Sequence, residues 1–161
     1  MKLPVHQRIV RALERQRHDR ASHFMIAVVD DSISVRRALI RLLQVFGYVS
    51  NGFASGAEFL RTWPDNGARC LILDAQMPGV SGVDVQRELN RTLARIPVIM
   101  ITASDSPAMR EKCMCLGACN YLSKPIHTPI LLDAVARALS ESSRVRDQRP
   151  LCDVASTASV G

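Results

Sequence analysis

No run of apolar residues in this 161-residue chain approaches the roughly 20 needed to cross a bilayer. The apolar segment of a secretory leader is missing too, so the expected setting is soluble and cytoplasmic. The five cysteines are odd in number and lack paired spacing, which argues against a disulfide framework and for reduced thiols. Cys113, Cys115 and Cys119 stand two and four residues apart with no histidine suitably near, which is not a zinc pattern. For Cys119 and for Cys70, at the head of an apolar run, packing is the expected role, and for Cys115 ordinary surface. There is no internal repeat, and the length suits one core rather than two.

Positive charge is in excess, but only locally. The formal net charge is +6, a balance that invites nucleic-acid or membrane binding. Residues 1–23 hold six Lys or Arg against two Asp or Glu, whereas residues 24–139 hold twelve against ten. A basic arm therefore precedes a nearly neutral body. In the arm, Val5, Ile9, Ala12 and Leu13 fall at helical spacing among Arg8, Arg11, Arg15 and Arg17. A short amphipathic helix and a solvated extension both fit that pattern. Beyond position 141 the apolar periodicity fades, and residues 142–161, rich in Ser, Arg and small side chains, are expected to be disordered.

Between these ends the chain is organised around residues 70–82, CLILDAQMPGVSG. Four apolar residues without polar alternation suit a strand covered on both faces, as in a parallel sheet between helices. The run stops on Asp74, and turn residues follow. Similar runs end on Asp30 and Asp31 (26–29), on Thr102 (98–101) and just before Lys124 (120–122), while 48–53 supplies a fifth strand. Helical patterns occupy 33–46, 55–63, 83–95, 107–116 and 128–140. Gly47 and Gly117 mark two helix ends, and Pro107 and Pro129 mark two first turns. Alternation of five strands with five helices predicts a doubly wound α/β domain with a parallel sheet.

In such a sheet the carboxyl ends of the strands share one edge, where ligands collect. Asp30, Asp31, Asp74, Thr102 and Lys124 are thereby gathered into one pocket. Adjacent carboxylates after a buried strand repel and resist desolvation, so a hard cation is a natural partner, although one of the pair could also cap the following helix. Carboxylates hold magnesium ion, Mg2+, while leaving room for phosphate oxygens. An aspartate there can attack phosphorus, with the lysine and threonine gripping the transferring group.

With VVDDS at 28–32, LDAQMPGVSG at 73–82, ITAS at 101–104 and YLSKP at 121–125, the chain resembles the receiver domains of two-component response regulators. The resemblance covers roughly 25–140, within a receiver body at 24–141, and is nearest to the FixJ-like branch. It implies a CheY-like, flavodoxin-like fold with strand order 2-1-3-4-5. It also implies that Asp74 accepts a phosphoryl group from a sensor histidine kinase. Mg2+ would be bound by Asp31, Asp74 and the main-chain carbonyl of Gln76, with Asp30 acting mainly through water. Lys124 and Thr102 would hold the phosphoryl group, the Lys124–Pro125 peptide would be cis, and Gln76 and Ser104 would tune hydrolysis. Thr102 and an inward-turning Tyr121 would switch the surface of the fourth helix, fifth strand and fifth helix, towards a protein partner or a second copy.

FixJ-like proteins continue into a DNA-binding helix-turn-helix, for which 142–161 has no room, so direct DNA binding is not expected. The module would be a phosphoryl acceptor, not an enzyme beyond self-catalysed phosphorylation and dephosphorylation. Two alternatives stay open: an aspartyl-phosphate phosphatase of haloacid dehalogenase type, which would place an acid where Gln76 stands, and a binding module independent of phosphorylation.

Overall fold

The apolar runs become strands because their residues can be covered from both sides. In a computed structural model, which describes residues 25–92 and 95–147, the strands are β1 (Met25–Val29), β2 (Val49–Phe53), β3 (Ala68–Asp74), β4 (Val98–Thr102) and β5 (Asn120–Ser123). All neighbours pair in parallel, in the order β2-β1-β3-β4-β5. The helices are α1 (Ile33–Val45), α2 (Gly56–Thr62), α3 (Gly82–Arg91), α4 (Pro107–Cys115) and α5 (Thr128–Asp147). This is the doubly wound CheY-like architecture that the resemblance implies.

Side chains alternate across the sheet and so feed two separate cores. Ala27, Val29, Leu71, Leu73 and Met100 face Phe59 of α2, Val83, Val85 and Leu89 of α3, and Cys113 of α4. Ile26, Val28, Ile72, Ile99 and Ile101 face Leu39 and Leu43 of α1 and Leu131, Val135 and Leu139 of α5. Each fully buried Ile or Leu contributes about 1.5–3 kcal/mol of transfer free energy, an upper figure against a compact unfolded chain. Phe59 anchors the first core, edge-on to Phe53 at 5.4 Å and stacked on Trp63 at 5.7 Å.

Element ends differ from the sequence pattern by more than one residue in three places. Strand β3 begins at Ala68, two residues before Cys70, because Ala68 already pairs with Met25 of β1. Helix α3 covers Gly82–Arg91 rather than 83–95. Its start is fixed by a capping box, in which Ser81 accepts from the Asp84 amide while Asp84 accepts from the Ser81 amide. Its last turn is drawn shut by the Thr92 hydroxyl, which donates to the Leu89 carbonyl. Helix α5 runs on to Asp147, past the expected end at 140 and into the segment 142–161 expected to be disordered. The added residues contain neither Gly nor Pro, and the first breaker in sequence is Pro150. The basic arm at 1–23 and the tail from 148 lie outside the described residues, as do the expectations that rest on them.

Among the described residues no helix is long and apolar enough to cross a membrane. Cys70 is buried in β3, with its thiol pushed upward by burial. Cys119 donates to the Val98 carbonyl at 3.2 Å, and burial raises its pKa to about 11. Cys115 is exposed. Cys70 and Cys119 are therefore packed thiols whose pKa lies above, not below, the usual thiol range.

Candidate functional site

Parallel pairing brings the ends of β1, β3, β4 and β5 to one edge of the sheet. Asp30, one residue beyond β1, is fully buried, and Asp74, the last residue of β3, is 4% exposed. Both carboxylates solve the local problem of a strand end in the same way. Asp30 Oδ1 accepts from the Ser32 amide at 2.9 Å, and Asp74 Oδ1 accepts from the Gln76 amide at 2.9 Å. Each side chain thus caps the backbone two residues on, as Asp does in turns, and its second oxygen stays free for other work.

That second oxygen meets Lys124. Its ammonium, just beyond β5, donates to Asp30 Oδ2 at 2.9 Å and to Asp74 Oδ2 at 2.7 Å. Asp31 is exposed, yet one carboxylate oxygen from each of Asp30, Asp31 and Asp74 lies within 4.8 Å of the others. Three carboxylates facing one ammonium leave the cluster short of positive charge. Burial pushes the Asp30 carboxyl above its usual range, and Asp74 adds to that, against the pull of Lys124 and the Ser32 amide. For Lys124 burial acts downward, but the bonds to Asp74 and Asp30 outweigh it and its pKa is raised. Both partners move upward because Asp30 is wholly removed from water while Lys124 keeps part of its surface. The all-oxygen donor set and the unbalanced charge fit a hard divalent cation such as Mg2+.

Of the remaining candidates, Thr102 is at the same edge but outside this bonded group. Its buried hydroxyl donates to the Ser104 carbonyl at 3.1 Å and accepts from the Ser104 amide at 3.2 Å. Its carbonyl accepts from the Lys124 amide at 2.7 Å, so the backbone ties β4 to the lysine. Gln76 is exposed and supplies an amide, not an acid, two residues after Asp74. The Lys124–Pro125 peptide is cis. Tyr121 is 3% exposed, and its hydroxyl is buried without a hydrogen bond. The Arg110 guanidinium of α4 covers its ring at 4.8 Å. Burial raises the phenol pKa, as does Asp105, with the nearby Thr102 hydroxyl acting the other way.

The residue that caps α1 is Ser32 rather than either aspartate, and its side chain makes no capping bond. Asp30 instead points back to Ser32 from within the pocket. Arg36 of α1 was not foreseen at the site; its guanidinium donates to the Asp30 carbonyl at 2.6 Å. Position i+6 on a helix that starts at the strand end was the available signal. Gly82 was also missed. It opens α3, donates to the Ala75 carbonyl, and lies so close to the Asp74 carbonyl that a Cβ would overlap it.

With the geometry in hand, comparison with known proteins agrees. Residues 26–136 match the family described as response regulator receiver domain. Nodulation protein W of Bradyrhizobium diazoefficiens is 38% identical over 133 residues, which cover 82% of this chain and 59% of that protein. Response regulator protein TodT of Pseudomonas putida is 35% identical over 136 residues, 84% of this chain and 59% of that one. This chain thus spans less than two thirds of the length of these relatives. Among solved structures, FixJ-N superposes with a TM-score of 0.68 at 31% identity, covering 73% of this chain and 94% of that one. Chemotaxis protein CheY4 of Vibrio cholerae gives a TM-score of 0.67 at 29% identity, covering 72% and 98%. Fold, pocket and relatives lead to one conclusion: this chain belongs to the response regulator receiver domain family of two-component systems.

Proposed function

We propose that Asp74 is the phosphoryl acceptor of this receiver and that a sensor histidine kinase is the donor. The observation that carries the reading is the convergence of Asp30, Asp31 and Asp74 with Lys124, whose ammonium bridges two of the carboxylates. In the transfer an Asp74 carboxylate oxygen forms a bond to phosphorus as the phosphorus–nitrogen bond of the phosphohistidine breaks, and the imidazole leaves with the electron pair. Lys124, 2.7 Å from Asp74, stands where it can grip a phosphoryl oxygen and spread the developing charge. Asp30, Asp31, Asp74 and the Gln76 carbonyl are the residues that would hold Mg2+. Bound there, the ion supplies positive charge against the phosphoryl oxygens.

Thr102 would release Ser104 and donate to the new phosphoryl group. The ring of Tyr121 is already inside, under Arg110. Phosphorylation would therefore act by fixing a packing that the domain already adopts, at the surface formed by α4, β5 and α5. Output would pass to a protein partner or a second copy through that surface. A phosphatase of haloacid dehalogenase type finds no support, because Gln76 stands where its second acid is needed.

The test is incubation with acetyl phosphate and Mg2+, followed by intact-protein mass measurement. Wild type should gain one phosphoryl group and Asp74→Ala none. Equal labelling of both would overturn the assignment.

A further inference from the structure

Arg36 meets the acidic cluster at its backbone rather than at a carboxylate. Its guanidinium donates to the Asp30 carbonyl at 2.6 Å, a charge-assisted bond shorter than an ordinary amide contact. That carbonyl belongs to the peptide joining Asp30 to Asp31. The Asp30 end is held twice more: its amide donates to the Phe53 carbonyl of β2 at 3.3 Å, and its Oδ1 accepts from the Ser32 amide at 2.9 Å. Asp31 has no such support. Among the described residues no side chain bonds its carboxylate, although one of its oxygens lies within 4.8 Å of oxygens of Asp30 and Asp74. An exposed carboxylate of this kind is aimed by the backbone that carries it.

The fold makes room for the contact at Gly52. This residue of β2 pairs with Val28 of β1, whose side chain lies on the face covered by Leu39 and Leu43 of α1. A Cβ at position 52 would meet Arg36 Cδ at 3.0 Å, Arg36 Cγ at 3.1 Å and Ile40 Cδ1 at 2.8 Å. The Arg36 stem therefore lies across a strand position that has no side chain, beside Ile40 one turn further along α1. The backbone at Gly52 is not left-handed, so the space above it is what a side chain would spoil. Packing braces the stem and a charged hydrogen bond holds the head.

The charge of Arg36 works the other way. A guanidinium beside three carboxylates competes with a bound cation, so by electrostatics alone Arg36 hinders Mg2+. Water and salt weaken that repulsion at exposed groups, whereas losing the partner that orients a ligand costs about ten- to a hundredfold in metal affinity. The two effects differ in sign, and orientation is the larger.

We propose that Arg36 is a positioning residue for the metal: by holding the Asp30 carbonyl it fixes the Asp30–Asp31 peptide and keeps the Asp31 carboxylate turned towards Asp30 and Asp74. This rests on the reading that those carboxylates bind Mg2+.

Calorimetric binding of Mg2+ to the full chain, with no phosphodonor present, tests it, alongside urea unfolding in metal-free buffer. The variants are Arg36→Ala, Gly52→Ala, the two combined, and Asp31→Ala as control. Arg36→Ala should weaken Mg2+ binding about tenfold, equivalent to about 1.4 kcal/mol. Gly52→Ala displaces the same stem while leaving Arg36 in the sequence. Only side-chain ends must give way there, so this variant should weaken binding too and decides the matter if Arg36→Ala does not fold. In the combined variant it should add nothing, since the stem is already gone. Unchanged or tighter binding in either single variant would overturn the proposal. Unchanged binding with lost stability would make Arg36 a brace only, and tighter binding a charge only. Asp31→Ala separates this proposal from the reading beneath it. If Asp31→Ala binds Mg2+ as wild type does, the site itself is misassigned and both fall; if it binds weakly while Arg36→Ala binds normally, only the role of Arg36 fails.

Discussion

Replacing Gly82 by alanine sets two physical effects against each other, and the structure says which wins. Gly82 is the first residue of α3, and removing a helical glycine normally stabilises by about 0.5–1 kcal/mol through backbone entropy. Here the new Cβ would overlap the Asp74 carbonyl oxygen and lie 2.9 Å from both Ala75 Cα and the Asp74 carbonyl carbon. All three are backbone atoms next to the proposed acceptor, and none can swing aside as a side-chain tip can. Relief requires α3, or the segment from Asp74 to Ser81, to shift. Overpacking of this kind costs about 1–3 kcal/mol, so the net change should be destabilising by about 1–2 kcal/mol once the entropy gain is taken off. The shift also moves Gln76, whose amide holds Asp74 Oδ1. Displacement of a reacting group by about 1 Å can cost up to a hundredfold in rate, and labelling by acetyl phosphate should slow by at least about tenfold. Urea unfolding and the labelling rate are the two readouts. Gly79→Ala is the control: its φ is +74° with nothing within 4 Å of a Cβ, so it should lose some stability to strain but keep its labelling rate. A Gly82→Ala variant as stable and as quickly labelled as wild type would refute the steric argument.

Three further outcomes follow from named side chains. Gln86 of α3 is 1% exposed, and neither end of its amide has a hydrogen-bond partner among the described residues. Gln86→Leu should therefore raise stability by about 1–3 kcal/mol in urea unfolding, and a loss would show that the amide is satisfied in solution. Lys124→Met leaves Asp30 and Asp74 without their ammonium; stability near neutral pH should fall by about 3 kcal/mol or more without metal, and Mg2+ should restore part of it. Absence of any Mg2+ rescue would argue against the carboxylates as a cation site. Because the folded pKa of Lys124 is raised above 10.5, its contribution is complete below that pH and is lost as pH rises through the folded value. The alkaline fall in stability should accordingly be shallower in Lys124→Met than in wild type, and identical profiles would contradict the linkage.

The sheet was legible because its signal is redundant: each buried strand is a continuous apolar run, and each ends on a polar residue that the topology carries to one edge. Position alone brought Asp30, Asp74 and Lys124 together, since parallel order places the ends of β1, β3 and β5 on the same side. What the residue pattern by itself could not convey is which of two adjacent aspartates is buried. Asp30 turns inward and Asp31 remains exposed, although the two are chemically identical. Gln86 lies between Val83 and Leu89 at intervals of three, so periodicity put it on the buried face while polarity argued for the outside. Tertiary packing prevailed. The close approach at Gly82 depends on a contact between the start of α3 and the end of β3, and the sequence there shows only one more turn glycine. Helix α5 outlasts its sequence pattern because its apolar stripe fades before its helix-forming residues do.

The most direct measurement is to find where the phosphoryl group is attached. After reaction with acetyl phosphate and Mg2+, borohydride reduction converts an aspartyl phosphate to homoserine, and peptide sequencing by mass spectrometry locates it. The account predicts homoserine at position 74 alone. Modification at Asp30, Asp31 or any other residue, with Asp74 recovered intact, would contradict it.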